Sequence, residues 1–218
     1  MVKFLDRIEA GKVLARLLTA YRQRPNLLVL GLPRGGVPVA FEISQALRAP
    51  MDIFIVRKLG VPGQEELAMG AIATGGTRVL NARVIEELGI SQQVIDEATR
   101  REEQELRRRE NAYRGNQPPK RIQGKTVILV DDGLATGASM YAAVLALKQQ
   151  NPQQIVVAVP VAAPETCEAF TKIVDEIICA ATPEPFYGVG AWYEDFSQVT
   201  DEQVREIYLE AIDEQESI

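Results

Sequence analysis

Two carboxylates, Asp131 and Asp132, stand side by side after the apolar run Val127 to Val130. A loop of small residues follows at once, Gly133-Leu134-Ala135-Thr136-Gly137-Ala138-Ser139. If a helix starts near Ala138, the free backbone N–H groups of Leu134 to Ser139 point at an anion there. The hydroxyls of Thr136 and Ser139 add donors, so the loop suits a phosphate. Two negative charges at the mouth of a phosphate cradle make sense if one ligand carries both a phosphate and a vicinal diol. The loop amides take the phosphate, and the carboxylates accept hydrogen bonds from two hydroxyls, as an acidic residue does for ribose in dinucleotide folds. A ribose 5-phosphate unit has both features.

Other phosphate chemistries are excluded by spacing. A Walker A loop needs Gly-Lys-Ser/Thr, and here Gly137 is followed by Ala138-Ser139. Neither "GLPRGG" nor "GLATGAS" supplies the G-x-G-x-x-G dinucleotide fingerprint. An aspartyl-phosphate nucleophile stays open, although such loops usually space their acids as Asp-x-Asp. The chain has no histidine. That removes Ser-His-Asp and Cys-His pairs and most zinc sites. Chemistry must run on carboxylates, Arg and Lys, backbone amides or an oxygen-held metal.

The elements that position these residues follow from periodicity and punctuation. Asp6 with Glu9 fits a capping box, and the helix it opens carries Leu14, Leu17, Leu18 and Tyr21 on one face. Asn26 to Leu32 is a buried strand, Pro33 to Gly36 a loop, and Val37 to Leu47 a helix. "DIFIVRKLG" is a second buried strand ending in the cations Arg57 and Lys58. Val61 to Glu66 is a turn-rich segment, and "AMGAIAT" with "TRVLN" a short hairpin through Gly75-Gly76. Ser91 to Arg114 is a long charged helix with the i,i+4 pairs Glu97–Arg101, Glu103–Arg107 and Glu105–Arg109. Its Arg107-Arg108-Arg109 run is a solvated face.

Gly115 to Gly124 is a linker. Strands at Thr126 to Val130, Ile155 to Val161 and Glu176 to Ala180 then alternate with helices at Ala138 to Gln149 and from Pro164, and Asp201 to Glu214 closes the chain as a helix. Apolar strands alternating with helices predict an α/β fold with a parallel sheet covered on both faces.

Composition agrees with a soluble globular protein: 218 residues, 46% hydrophobic and 25% charged. We expect one domain, residues 1–218, with a core over about 26–180 and a hood or lid from 59–80 and the 185–218 tail. The net charge of −6 argues against a nucleic-acid-coating protein. No secretory signal or membrane span is read, and Gln153 to Pro164 is too short to cross a bilayer. Cys167 and Cys179 lack metal-like or redox-like spacing and are expected to be two reduced, buried thiols of a cytosolic protein.

The stretch Val127 to Ser139 resembles the PRPP-binding motif of type I phosphoribosyltransferases (PRPP is phosphoribosyl pyrophosphate). "GLPRGGVPVA" (Gly31 to Ala40) resembles the family's pyrophosphate loop, and "VRKLGVPG" (Val56 to Gly63) the start of its flexible catalytic loop. The chain looks most like a bacterial branch known only as predicted phosphoribosyltransferases. The resemblance implies that fold, with a small hood, and a homodimer in the cytoplasm. It implies that Asp131 and Asp132 hold the ribose hydroxyls while Gly133, Leu134, Ala135, Thr136, Gly137, Ala138 and Ser139 enclose the 5-phosphate. It implies that Arg34, Gly35 and Gly36 meet the pyrophosphate and that Arg57 and Lys58 neutralise it. Mg²⁺ would be held mainly by PRPP and water, without direct protein ligands. The implied partners are PRPP and a small-molecule acceptor, with no nucleic acid and no membrane.

The acceptor is less defined. Enzymes for 6-oxopurines keep an acid before the Thr-Gly, where this chain has Ala135. "DDGLATG" and "RKLGVPG" are closer to the adenine type, which has an acid in its flexible loop, and Glu65 or Glu66 is the nearest candidate base. Phe186, Tyr187, Trp192 and Tyr193 are expected to pack in the core or at a dimer interface before stacking on a base. Two other readings stand beside the transferase: a PRPP- or nucleotide-binding regulator without turnover, and a phosphatase with Asp131 or Asp132 as nucleophile. Pyrophosphate release needing PRPP and a base marks the first, binding without turnover the second, and phosphate release from a monoester the third.

Overall fold

The computed structural model describes residues 3–216. Its apolar runs become strands β1 (Leu27–Gly31), β2 (Met51–Ile53), β3 (Val56–Val61), β4 (Gln64–Ala73), β5 (Thr77–Leu80), β6 (Thr126–Val130), β7 (Gln154–Val161) and β8 (Glu176–Ala181). Its helices are α1 (Arg7–Leu17), α2 (Gly36–Leu47), α3 (Ala82–Glu87), α4 (Gln92–Arg114), α5 (Ala138–Gln149), α6 (Pro164–Phe170) and α7 (Asp201–Glu216). Five strands form a parallel sheet in the order β2-β1-β6-β7-β8, and β3-β4-β5 form a separate antiparallel sheet, the hood.

The period of two along each strand explains why the parallel sheet needs two helical layers. Leu27, Val29, Ile128, Val130, Val156 and Ala158 pack with α1, α2 and α7 through Leu14, Leu18, Ile43, Leu47, Val204 and Tyr208. Leu28, Leu30, Val127, Leu129, Ile155 and Val157 pack with α5 and α6 through Met140, Val144, Leu147 and Phe170. Full burial of one such side chain is worth roughly 1.5–3 kcal/mol, so these strands are fixed from both faces.

From β1 the chain goes through α2 to β2 on one side. From β6 it goes through α5 to β7 on the other. The sheet therefore reverses its direction of growth between β1 and β6, and a crevice opens beyond their carboxyl ends. The last residues of the two strands are paired, Gly31 with Val130, and Leu32 N–H donates to the Val130 carbonyl at 2.9 Å.

Several sequence expectations are corrected. "DIFIVRKLG" is two strands of two sheets, with the break at Phe54-Ile55. Phe54 and Ile55 are both buried, one in each core cluster, so an unbroken apolar run hides the crossing. Arg57 and Lys58 consequently lie on hood strand β3, not at the end of a core strand. Val61 to Glu66 forms the tight end of the β3–β4 hairpin, and α3, unforeseen, follows β5. Leu17 is 53% exposed, while Leu14, Leu18 and Tyr21 are buried as expected.

Cys167 and Cys179 are joined in a disulfide between α6 and β8. They are not two free thiols, because the α6–β8 connection brings the two side chains together. The argument from thiols to a reducing compartment falls with that expectation. Along α4, Glu105–Arg109 forms at 2.7 Å, but Arg101 turns to Glu102 and Glu97 accepts from Gln93.

One polar anchor had no sequence signal. Arg114, the last residue of α4, donates through Nε to Asp52 of β2 at 2.8 Å, and both side chains are only 2% exposed. The other oxygen of Asp52 accepts from Lys120 N–H at 2.8 Å, and Arg114 also donates to the Ile53 carbonyl. Complete pairing makes a buried charge tolerable. It ties α4 and the 115–124 linker to the edge of the parallel sheet.

Candidate active site

The acid pair ends β6 at the crevice, as its position in the sequence requires. Asp131 Oδ1 accepts the backbone N–H of Asp132 at 2.9 Å. Burial, then the neighbouring Asp132 charge, push the Asp131 carboxyl well above its usual range. Burial also raises Asp132, but the Arg7 guanidinium opposes this. Both effects follow from confining two like charges in a poorly solvated place.

The loop after the pair is braced from behind. Leu134 N–H donates to Val161 O at 2.9 Å, and Ala163 N–H to Leu134 O at 2.9 Å. The Thr166 hydroxyl holds the Ala135 carbonyl at 2.6 Å. Gly137, at φ +73°, turns the chain into α5, and a Cβ there would lie 2.7 Å from the Phe170 ring. Ala135, Thr136, Ala138 and Ser139 are exposed, so the N-terminus of α5 opens to solvent. The Leu134 N–H is thus not free for an anion as the sequence suggested, and a phosphate is left with the amides after it and the hydroxyls of the exposed Thr136 and Ser139.

The loop after β1 stands directly beside the acids. Gly36 comes so close that a Cβ would lie 2.6 Å from Val130 O and 2.8 Å from Asp131 Cα. A Cβ on Gly35 would meet Asp132 Oδ2. Only glycines let the two loops approach this far. Arg34 follows a cis peptide bond to Pro33 and lies 3.8 Å from Asp201 of α7.

Arg7, the first residue of α1, was missed by sequence reasoning. Its Nε donates to Asp132 Oδ2 at 2.9 Å and its Nη1 to the Ser197 carbonyl at 2.8 Å. Its guanidinium carbon stands 4.1 Å from the Phe196 ring centroid, within cation–π range. The one available signal was a cation in a first helical turn, where the helix dipole disfavours it. Asp6 caps this helix by accepting Glu9 N–H at 2.8 Å, while Glu9 Oε2 accepts Leu5 N–H at 2.6 Å. The capping box is thus shifted by one residue on its return bond.

The C-terminal aromatics also reach the acids. Tyr193 is buried, and its hydroxyl donates to the Asp132 carbonyl at 2.6 Å. Burial raises the Tyr193 pKa, so the phenol keeps that proton. Val189 packs on Gly133. Trp192 is buried with Phe4 and Tyr193, which meets the packing expectation, whereas Tyr187 is 82% exposed.

The hood residues are arranged differently from the loops. Arg57 donates through Nε and Nη2 to Glu102 Oε2 of α4, at 2.9 and 2.6 Å. Lys58 lines a cleft of about 550 Å³ between the hood and the first turns of α5, with Tyr141 and Ala138 opposite. Glu65 is exposed at the hairpin end and accepts Gly63 N–H at 3.3 Å. The side chain of Glu66 lies outside the described residues.

Among the described residues no group of three or more His, Cys, Asp or Glu is placed to hold a metal. A Mg²⁺ ion that takes most of its ligands from phosphate oxygens and water needs only one or two carboxylates nearby. The Asp131–Asp132 pair fits that donor set. No described helix is long and apolar enough to cross a membrane.

Known proteins resemble this chain over most of its length. The family model for the phosphoribosyl transferase domain matches residues 5–187. Two Mycobacterium tuberculosis proteins, named "Putative phosphoribosyl transferase Rv0571c" and "Putative phosphoribosyl transferase MT0597", are each 42% identical over 204 residues. Those residues are 94% of this chain and 46% of either relative, so the chain spans about half the length of the curated relatives it matches. The crystal structure of TT1426 from Thermus thermophilus superposes with a TM-score of 0.87 at 42% identity, covering 96% of this chain and 99% of that one.

Proposed function

The chain belongs to the phosphoribosyl transferase domain family, and we propose on that footing that it moves ribose 5-phosphate from PRPP to a nitrogen acceptor and releases pyrophosphate. The observation that carries the reading is the meeting of two loops at the β1/β6 reversal: the braced, outward-facing loop after Asp131-Asp132, and the glycines of the 33–36 loop against those acids.

The roles follow from position. The amides of residues 135–139 and the hydroxyls of Thr136 and Ser139 hold the 5-phosphate. Asp131 and Asp132 accept the ribose hydroxyls and lie where positive charge grows as the bond to pyrophosphate breaks, a transition state of oxocarbenium character. The Gly35 amide and the Arg34 side chain take the pyrophosphate, the Gly36 N–H being held by the Leu32 carbonyl at 3.0 Å, and they are helped by Lys58 and by an Arg57 that exchanges Glu102 for the ligand. Bound beside Asp131 and Asp132 through water, Mg²⁺ would supply charge neutralisation for the leaving pyrophosphate. The hood hairpin would exclude water from the reacting centre.

The acceptor reading leans to adenine-like rings or other amines, because Ala135 offers no base at the position 6-oxopurine enzymes use. Glu65, exposed at the hairpin end, is the proposed proton acceptor, with Glu66 as the neighbouring choice. The test is a screen of nucleobases and small heterocycles for pyrophosphate release that requires both PRPP and Mg²⁺. Release with one acceptor class is expected, with hypoxanthine and guanine poor. PRPP binding with no release from any acceptor would favour a regulator. Phosphate release from a simple monoester, with no PRPP-dependent reaction, would favour a phosphatase.

A further inference from the structure

Arg7 is an expensive residue where it stands. It is the first residue of α1, at the positive end of the helix dipole, and its side chain is only 11% exposed. Taking a guanidinium out of water is costly unless its donors are used. Here Nε goes to Asp132 Oδ2, Nη1 goes to Ser197 O, and the Phe196 ring covers the plane. Three separate parts of the chain thus converge on Asp132 and its partner Arg7: the first turn of α1, the 193–197 segment through Tyr193 and Ser197, and the loop after β1 through Gly35. A Cβ on Gly35 would be 3.2 Å from Arg7 Nε.

We propose that Arg7 is a positioning residue for ribose recognition, fixing the rotamer of Asp132 so that its other oxygen, Oδ1, is presented to a ribose hydroxyl. The inference rests on the reading of Asp131 and Asp132 as the ribose grip. A carboxylate at the end of a strand, with a second acid beside it, would otherwise swing away from its neighbour's charge. A flat, two-donor cation locks it in one orientation, because Nε is tied to Oδ2 while Nη1 is tied to a fixed main-chain carbonyl. Lysine cannot do this, having one charged centre and no fork. It follows that diol recognition depends on residues 7 and 193–197, at opposite ends of the chain.

The experiment compares two ligands that differ only in the diol, ribose 5-phosphate and 2,3-dideoxyribose 5-phosphate, by calorimetric titration in Mg²⁺. The wild-type chain should prefer the ribose compound by about tenfold or more, the worth of one charge-assisted hydrogen bond. In Arg7→Ala that preference should fall toward parity while affinity for the dideoxy compound stays within about twofold of wild type, since the phosphate loop is untouched. Arg7→Lys should lie between the two. A merely structural role for Arg7 would weaken both ligands together and leave their ratio unchanged, and that result overturns the inference. If the wild-type chain shows no preference for the diol, the reading of the acid pair itself fails. Should Arg7→Ala not fold, Arg7→Lys decides: a reduced preference supports the inference and an unreduced one overturns it.

Discussion

A methyl group on Gly35 would lie 1.9 Å from Oδ2 of Asp132. No conformational adjustment of a few tenths of an ångström relieves such an overlap, and Asp132 is not free to move because Arg7 holds the same oxygen. Gly35→Ala should therefore displace the carboxylate or the loop. We expect a loss of about 1–3 kcal/mol in stability, as for other overpacked sites, together with weaker binding of ribose 5-phosphate. Urea denaturation and titration check both. A variant with wild-type stability and binding would show that the approach is not required.

Asp131 gives a pH signature with a definite sign. Burial, reinforced by Asp132, raises its folded pKa above the ordinary 3.8. The folded state then binds more protons than the unfolded one above that value, so this residue's contribution to stability declines as pH rises from about 4 through the raised pKa. Asp131→Asn keeps the oxygen that accepts Asp132 N–H and removes the charge. Its stability should lack that decline, leaving it more stable than wild type at neutral pH. Ribose 5-phosphate binding should nevertheless weaken by roughly 1.5–3 kcal/mol through loss of a charged acceptor. Denaturation midpoints across the acid-to-neutral range test the sign. A wild-type chain that gains on Asp131→Asn as pH rises would contradict the burial argument.

Much of this site was legible because its parts are contiguous. Val127 to Ser139 contains a strand, two acids and a helix start, and each has a local signature: apolar run, adjacent carboxylates, Gly and small residues before a helix. Ala138 to Gln149 was read to the residue for that reason. What was not legible depends on distant segments. Nothing near Asp132 in sequence announces Arg7 or Tyr193, and nothing near Arg57 announces Glu102. The strand break at Phe54-Ile55 was hidden because crossing from one buried sheet to another keeps the chain apolar. The cysteines illustrate the same limit, since a pairing between α6 and β8 has no spacing rule.

The Asp52–Arg114 pair tests the distant part of the fold. Both side chains are buried, and Asp52 also holds Lys120 N–H. Removing Arg114 leaves Asp52 without a cation, and removing the Asp52 charge leaves Arg114 only the longer contact to Glu110 at 3.4 Å, so Arg114→Met should cost about 3–5 kcal/mol and Asp52→Asn somewhat less. Replacing both together should cost less than the sum, because no uncompensated charge remains. Denaturation of the two single variants and the double variant measures the coupling. Strict additivity would mean the two groups do not depend on each other.

The last prediction concerns Glu102, which holds Arg57 through two donors while its own side chain is only 11% exposed. If Arg57 serves a leaving pyrophosphate, it must first leave this carboxylate, and the ion pair opposes ligand binding by whatever it is worth. Glu102→Gln keeps the shape and one acceptor but removes the charge, which weakens a charged hydrogen bond toward a neutral one, a change of roughly 1 kcal/mol. Pyrophosphate should therefore bind about fivefold more tightly to Glu102→Gln than to wild type, since a difference near 1.4 kcal/mol is tenfold. Arg57→Ala should weaken pyrophosphate and leave ribose 5-phosphate nearly unchanged. The double variant should behave like Arg57→Ala alone, because Glu102 then no longer withholds Arg57 from the ligand. Competition titrations with pyrophosphate and ribose 5-phosphate separate these cases. Unchanged pyrophosphate affinity in Glu102→Gln, with equal loss of both ligands in Arg57→Ala, would show that the pair fastens the hood to α4 and takes no part in binding the leaving group.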